Sequence, residues 1–160
     1  MDLNINIFSA FNDDWALLTA GTKDGFNTMA ISWGGLGTLW SRPVATVYVK
    51  PIRYTHDFMD GGEYFTVSFF DKKYQRDIAY LGSHSGRDGD KLAKTALTPK
   101  YLESAVTFEE AKTVLLCRKI YSQELELERI PADAVSDYYT EEAPHTMYVG
   151  EVVDIIKMQG

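Results

Sequence analysis

Hydrophobic and polar positions alternate with a period of two in several stretches of the chain. In PVATVYVK, Ala45, Val47 and Val49 alternate with Thr46, Tyr48 and Lys50; in YFTVSFF, Phe65, Val67 and Phe69 alternate with Tyr64, Thr66, Ser68 and Phe70. Both read as strands with one face on a core. DWALLTAGTKDGFNTMAISW sets two apolar, β-prone runs around Lys23-Asp24-Gly25, and Asp-Gly predicts a hairpin because glycine accepts positive φ freely. Strands return in AVTFEEAKTVLLCRKIYSQELEL and HTMYVGEVVDIIKM.

The helical period is confined to short segments. RYTHDFMDGG predicts one helix, begun by the Thr55 hydroxyl and stopped at Gly61 and Gly62. DKKYQRDIAYLG predicts another, with Asp71 as N-cap, Tyr74, Ile78 and Leu81 on one face and Gly82 as the stop. DKLAKTAL reads as a further short helix, and PADAVSDYY as a turn or short helix. The order is strands, helices, then strands, without βαβ alternation. That order predicts a mainly β protein, an antiparallel barrel with helical insertions, rather than a doubly wound sheet.

Composition fits one domain over residues 1–160. Apolar residues make up 45% and aromatics 13%, enough for a packed core. The formal charge of −7 disfavours nucleic acid and anionic membrane as partners. Cys117 is the only cysteine, which excludes an internal disulfide and a Cys-rich metal site. MDLNINIFSAFNDD has neither the basic start nor the apolar run of a signal peptide, and the uncharged run 25–41 holds too much glycine and polar side chain to span a bilayer. A soluble cytoplasmic protein is the expectation.

Several motifs fail on inspection. GSHSG puts His84 where a nucleophile elbow needs serine, GGLG does not complete G-x-G-x-x-G, and there is no G-K-[ST]. His56, His84 and His145 lack metal-ligand spacing, and RDGDK lacks the remaining ligands of a calcium loop. Two stretches carry more. Lys50, Arg53, Tyr54 and Thr55 cluster where a strand ends and a helix begins, which suits a phosphate and equally suits a solvated basic loop. Residues 27–40 carry no charge but include Gly34, Gly35 and Gly37; bare backbone there could face a flat ligand with donors and acceptors on its edge, or form a buried strand with a glycine bulge.

Together, NTMAISWGGLGTLWSRPVATVYVKPIRYTHDF, YFTVSFF, SGRDGDK and the late PHTMYVGEVV resemble the flavin reductase-like, FMN-binding split-barrel proteins, particularly their flavoredoxin-like branch. The resemblance spans nearly the whole chain and is most specific in the first block. It implies a six-stranded Greek-key split barrel, a homodimer, and FMN held non-covalently near the subunit interface, with FAD as an alternative. The implied ring contacts are Asn27, Thr28, Met29, Ala30, Ile31 and Ser32, with the strand end Val49, Lys50 and Pro51. The implied phosphate contacts are Arg53, Tyr54 and Thr55, with Ser85 and Lys91 beside the cofactor. His145 matches the position near the flavin face where a nicotinamide or another electron donor docks.

Ala30 departs from the Thr or Ser common in relatives, and Trp33 is bulky beside the expected ring. The implied activity is NAD(P)H:flavin oxidoreduction, which requires no acid or base residue of the protein. The alternatives are an electron carrier reduced by a redox protein, and a barrel binding some other planar ligand.

Overall fold

The computed structural model describes residues 1–158. A short helix, α1 (Ile7–Asn12), precedes the sheet; the Asn6 side chain caps it by accepting from the Ser9 N–H at 3.4 Å. The strands are β1 (Ala16–Thr22), β2 (Gly25–Ile31), β3 (Gly34–Leu39), β4 (Arg42–Val49), β5 (Tyr64–Phe69), β6 (Pro99–Tyr101), β7 (Val106–Phe108), β8 (Thr113–Glu124) and β9 (Thr146–Lys157). Helix α2 (Tyr54–Gly61) joins β4 to β5, α3 (Gln75–Ser83) follows β5, and α4 (Ala132–Tyr138) lies between β8 and β9.

Seven strands form one sheet in the order β2-β1-β5-β8-β9-β4-β3, and β6 and β7 form a separate hairpin. Every neighbouring pair is antiparallel. The two edge strands, β2 and β3, are consecutive in sequence and separated only by Ser32 and Trp33. Laid flat, seven strands at ~4.8 Å spacing would hold their outer strands ~29 Å apart. The three Cα steps from Ile31 to Gly34 reach at most ~11 Å. The sheet must therefore roll until its edges approach at this corner. The edges do not pair, so the product is an open barrel. The split barrel expected from the sequence is present, its sheet one strand larger than six because glycine-rich Gly34–Leu39 pairs with β4.

The inward positions are those of the two-residue period: Ala45, Val47 and Val49 of β4 and Phe65, Val67 and Phe69 of β5 share one core with Leu18, Leu115, Cys117 and Tyr148. Gly150 of β9 is required by this packing, since a Cβ there would lie 2.6 Å from Phe65 Cζ and 2.8 Å from Cys117 Cβ. The opposite face of β5 is not solvated as alternation alone suggests. Thr66 donates to the Val106 carbonyl at 2.6 Å and Ser68 bonds Thr107 at 2.7 Å, so the β6–β7 hairpin covers both hydroxyls. A second apolar cluster, Leu17, Ile78, Leu81, Leu97 and Phe108, seats α3 outside β1.

Element ends differ from expectation in instructive ways. Thr55 is not the cap of α2: Arg53 occupies that position without a side-chain bond, and Thr55 lies inside the first turn. Asp71 opens a 3-10 turn over Lys72–Tyr74 ahead of α3, and α3 runs through Gly82 to Ser83. DKLAKTAL forms a 3-10 helix at Lys91–Lys94, begun by the Asp90 side chain accepting from Leu92 N–H. In the β1–β2 hairpin the positive φ belongs to Gly21, at 108°, and not to Gly25. The β3–β4 hairpin turns through Trp40 and Ser41 at φ 53° and 59°, a conformation that two-residue loops usually assign to Asn or Gly.

Two stability outcomes are expected, both read from the urea midpoint. Gly150→Ala destabilises by about 1–3 kcal/mol, because neither Phe65 nor Cys117 can retreat within a filled barrel. Ser41→Gly stabilises by about 0.5–1 kcal/mol, because it relieves a left-handed residue that makes no side-chain bond among the described residues.

Candidate functional site

A cleft of about 570 Å³ lies on the outside of the barrel beside the free edge of β2. Its walls are β2, the end of β4 with the turn to α2, the start of α2, the end of α3 with the loop to Gly86, and the segment from Glu142 to His145. An edge strand presents main-chain N–H and C=O groups with no strand partner. Asn27 ties this edge to α2: it is buried, and its amide donates to Thr55 Oγ1 at 2.8 Å. The strand edge and the helix start are thereby fixed as one unit.

Two glycines bring the third wall in. A Cβ on Gly82 would stand 3.0 Å from Ala30 Cβ, and one on Gly86 would stand 2.1 Å from Asn27 Oδ1. The glycines of GSHSG thus serve close approach of α3 and its loop to β2. Arg87 holds that loop down by bonding the Ile52 carbonyl at 2.9 Å and Asp57 at 2.8 Å, with its guanidinium over the Tyr54 ring.

Of the residues expected at a site, Asn27, Met29, Ala30, Ile31, Ser32, Lys50, Arg53, Tyr54, Thr55, Ser85, Lys91 and His145 all line this cleft. Three do not. The Thr28 hydroxyl bonds Thr19 Oγ1 at 2.8 Å and donates to the Leu18 carbonyl, Val49 is in the barrel core, and Pro51 lies outside the lining. Strand alternation explains Val49, whose neighbours Tyr48 and Lys50 both line the cleft, whereas the Thr28 hydroxyl is committed to β1. Trp33 also lines the cleft and packs edge-on against Tyr138 at 5.0 Å and beside His145 at 5.4 Å.

The cations fall into two groups. Arg53 donates to the Gly82 carbonyl at 3.3 Å, and Lys91 to the carbonyls of Leu81 and His84 at 3.1 and 3.0 Å. Both occupy the C-terminal end of α3, where the helix leaves carbonyls unpaired and carries partial negative charge. Burial lowers the Arg53 pKa, with Glu142 opposing; burial reinforced by Arg53 pulls Lys91 down to about 8. Lys50 instead pairs with Glu142 at 2.8 Å and donates to the Tyr138 carbonyl at 3.1 Å, tying the last wall to β4. Its bond and charge hold Glu142 below the usual carboxylate range.

His145 is the remaining polar group. Tyr139 Oη bonds its Nδ1 at 2.6 Å, and burial, with Lys50 beside it, lowers its pKa to about 4. The ring is neutral at neutral pH. Sequence reasoning missed Tyr139 and Glu142, which lie in a segment without periodicity. It also missed the Gly82 and Gly86 approach, whose only signal was glycine spacing. Among the described residues, no group of His, Cys, Asp and Glu could hold a metal ion, and no helix is long and apolar enough to cross a membrane.

An open antiparallel barrel with a cationic cleft along its free edge defines the class. The sequence profile of the flavin reductase like domain matches residues 8–159, and the chain belongs to that family. No curated protein sequence matches it. Among solved structures, flavoredoxin from Methanosarcina acetivorans is 21% identical with a TM-score of 0.71, over 99% of this chain and 76% of that one. The FMN-binding protein from Thermus thermophilus with bound p-hydroxybenzaldehyde is 19% identical with a TM-score of 0.73, over 99% and 79%. The NADH:FAD oxidoreductase from Streptomyces globisporus C-1027, in complex with NAD and FAD fragments, is 17% identical with a TM-score of 0.68, over 90% and 74%. At these identities the likeness is one of fold.

A pH outcome follows from His145. Its pKa is lower in the folded chain, about 4, than its ordinary 6.5, so between these values the unfolded chain binds the extra proton. This contribution to stability is complete above pH 6.5 and is lost as pH falls toward 4. Thermal melts across this window should show His145→Asn with a shallower acid loss than the unsubstituted protein. An identical slope would contradict the assignment.

Proposed function

We propose that the cleft binds FMN and that the protein is an NAD(P)H-dependent flavin oxidoreductase working as a homodimer. The observation that supports this most strongly is convergence: the unpaired edge of β2 and the cationic start of α2, 23 residues apart in sequence at their nearest (Ile31 to Tyr54), share one cleft and are joined by the Asn27–Thr55 bond. Opposite placement of these segments would have ruled it out.

The residues suit the ligand. A volume of about 570 Å³ is within the range of cofactor sites, ~300–1,000 Å³. Three cations, Lys50, Arg53 and Lys91, stand against one carboxylate, Glu142, which favours an anionic ligand. Where Gly82 and Gly86 leave no room for a Cβ, backbone itself forms the wall. In this reading Arg53 and the first N–H groups of α2, at Tyr54 and Thr55, hold the phosphate, with Ser85 and Lys91 behind them.

Main chain from Asn27 to Ser32, together with Thr28, Val49 and Pro51 through backbone alone, borders the ring. FAD would use the same phosphate site, its adenylate directed outward. Bound flavin supplies hydride and single-electron chemistry. The chain's share is to bind and orient it, to keep donors against the ring edge where negative charge develops, and to offer His145 to the nicotinamide. His145 does this as a neutral ring, with one nitrogen a donor and the other an acceptor, since its second proton is absent at neutral pH.

Protein as purified, or after addition of FMN, should show a flavin absorption spectrum, and NADH or NADPH should bleach it anaerobically. Arg53→Ala should weaken FMN binding by about 10–100-fold, the effect of one lost charged hydrogen bond. Colourless protein that ignores FMN would defeat the reading. A second reading, an electron carrier reduced by a protein partner, draws on the net charge of −7 and the likeness to flavoredoxins. Reduction by a redox protein, with neither nucleotide effective, would select it.

A further inference from the structure

His145 has two ring nitrogens and one protein partner. Nδ1 is bonded by the Tyr139 hydroxyl at 2.6 Å. Nε2 has none among the described residues, where no side-chain nitrogen or oxygen is both fully buried and unpartnered. His145 lines the cleft, so Nε2 is the atom it exposes there. The direction of the Tyr139 bond then decides what the cleft meets.

An imidazole nitrogen is a far stronger base than a phenol oxygen, and a phenol O–H is a strong donor. The favoured arrangement is O–H···Nδ1. A nitrogen that accepts cannot carry the proton in a neutral ring, so the proton sits on Nε2. Burial first keeps the ring neutral, with Trp33 and Tyr139 packed beside it; Lys50 after β4 and Arg53 at the start of α2 also repel a second proton, and Glu142 opposes them. Lys50 is tied to Glu142 and to the carbonyl of Tyr138, which precedes Tyr139, so the strap carrying the phenol is itself anchored.

We propose that Tyr139 is a positioning residue which fixes His145 as its Nε2–H tautomer, so that the cleft presents one uncharged hydrogen-bond donor to an electron donor carrying a neutral acceptor, such as a carboxamide carbonyl. This rests on the oxidoreductase reading of the same cleft. It assigns Tyr139, a residue outside the cleft lining, a share in donor selection. A neutral N–H favours a carboxamide over a carboxylate only weakly by attraction, and its value lies in orientation: an N–H aimed by a fixed partner holds an amide in one pose. With a histidine free to take either tautomer, the acceptor would meet an N–H only part of the time.

The tautomer is read by nitrogen-15 NMR of the histidine-labelled full chain, without flavin or nucleotide. Nε2 protonated at pH 7 is expected; Nδ1 protonated overturns the proposal outright, whatever the protein's activity. Tyr139→Phe should give a mixture of tautomers and raise KM for NADH or NADPH by about five- to tenfold, with kcat and FMN affinity within about twofold. Unchanged tautomer and unchanged KM in this variant overturn the positioning role. A purely structural role would instead move FMN affinity and melting temperature together. Failure of the oxidoreductase reading looks different: no nucleotide reduces the protein, while the tautomer of His145 is still Nε2–H.

Discussion

Two residues, Ser32 and Trp33, separate the edge strands of a seven-stranded sheet, and this tether governs the rest of the molecule. It forces the sheet to roll, since a flat one could not be spanned, and the rolling encloses the apolar side chains of β1, β4, β5, β8 and β9 in one core. The two edges approach without pairing, which leaves the N–H and C=O groups on the outer side of β2 uncommitted. Such an edge is ordinarily a liability that invites another chain. Here it is walled by α3 and its loop, and the space between them is the cleft.

Charge follows the same geometry. The chain is acidic as a whole, yet Arg53 and Lys91 are drawn to one place by the unpaired carbonyls at the end of α3. Those carbonyls satisfy the cations without neutralising them, because a carbonyl dipole is not a counter-ion. Paired with carboxylates, the same two side chains would present no net charge to a ligand. Lys50 shows the contrast: its pairing with Glu142 is a fastening between two walls, and it contributes little net charge to the cleft. The phosphate-binding quality inferred for this region therefore belongs to Arg53 and the start of α2 more than to Lys50.

Much of this was legible in the sequence. The period-two stretches located β4 and β5 and their inward residues, and the joint stretches 27–32 and 50–55 located two walls of one cleft. Legibility failed where a residue's role depends on what lies across from it. The period of two placed one face of β5 on a core and left Thr66 and Ser68 unassigned, because nothing in their own strand announces the β6–β7 hairpin that covers them. Thr55 reads as a cap because hydroxyls usually cap; its partner, Asn27, is 28 residues away. Gly82 reads as a helix stop, yet it is helical, and its missing side chain makes room for Ala30. Each error replaced a long-range contact with the commonest local one.

The segment after α4 carries this furthest. Residues 138–145 carry no periodicity of their own, and of them sequence reasoning retained only His145 as a site residue. In the fold they form a strap: Lys50 grips it through the Tyr138 carbonyl and Glu142, Trp33 packs against Tyr138, and Tyr139 turns back onto His145. Trp33 belongs to the tether that rolls the sheet, so a residue at the barrel's open corner is also the one against which the strap rests. The bulky side chain that looked like an obstruction in a ligand site is thus the support of its far wall. The barrel and the cleft are built by the same connection: Ile31 and Gly34 on either side of it pack into the core, while Trp33 between them packs against Tyr138 and beside His145.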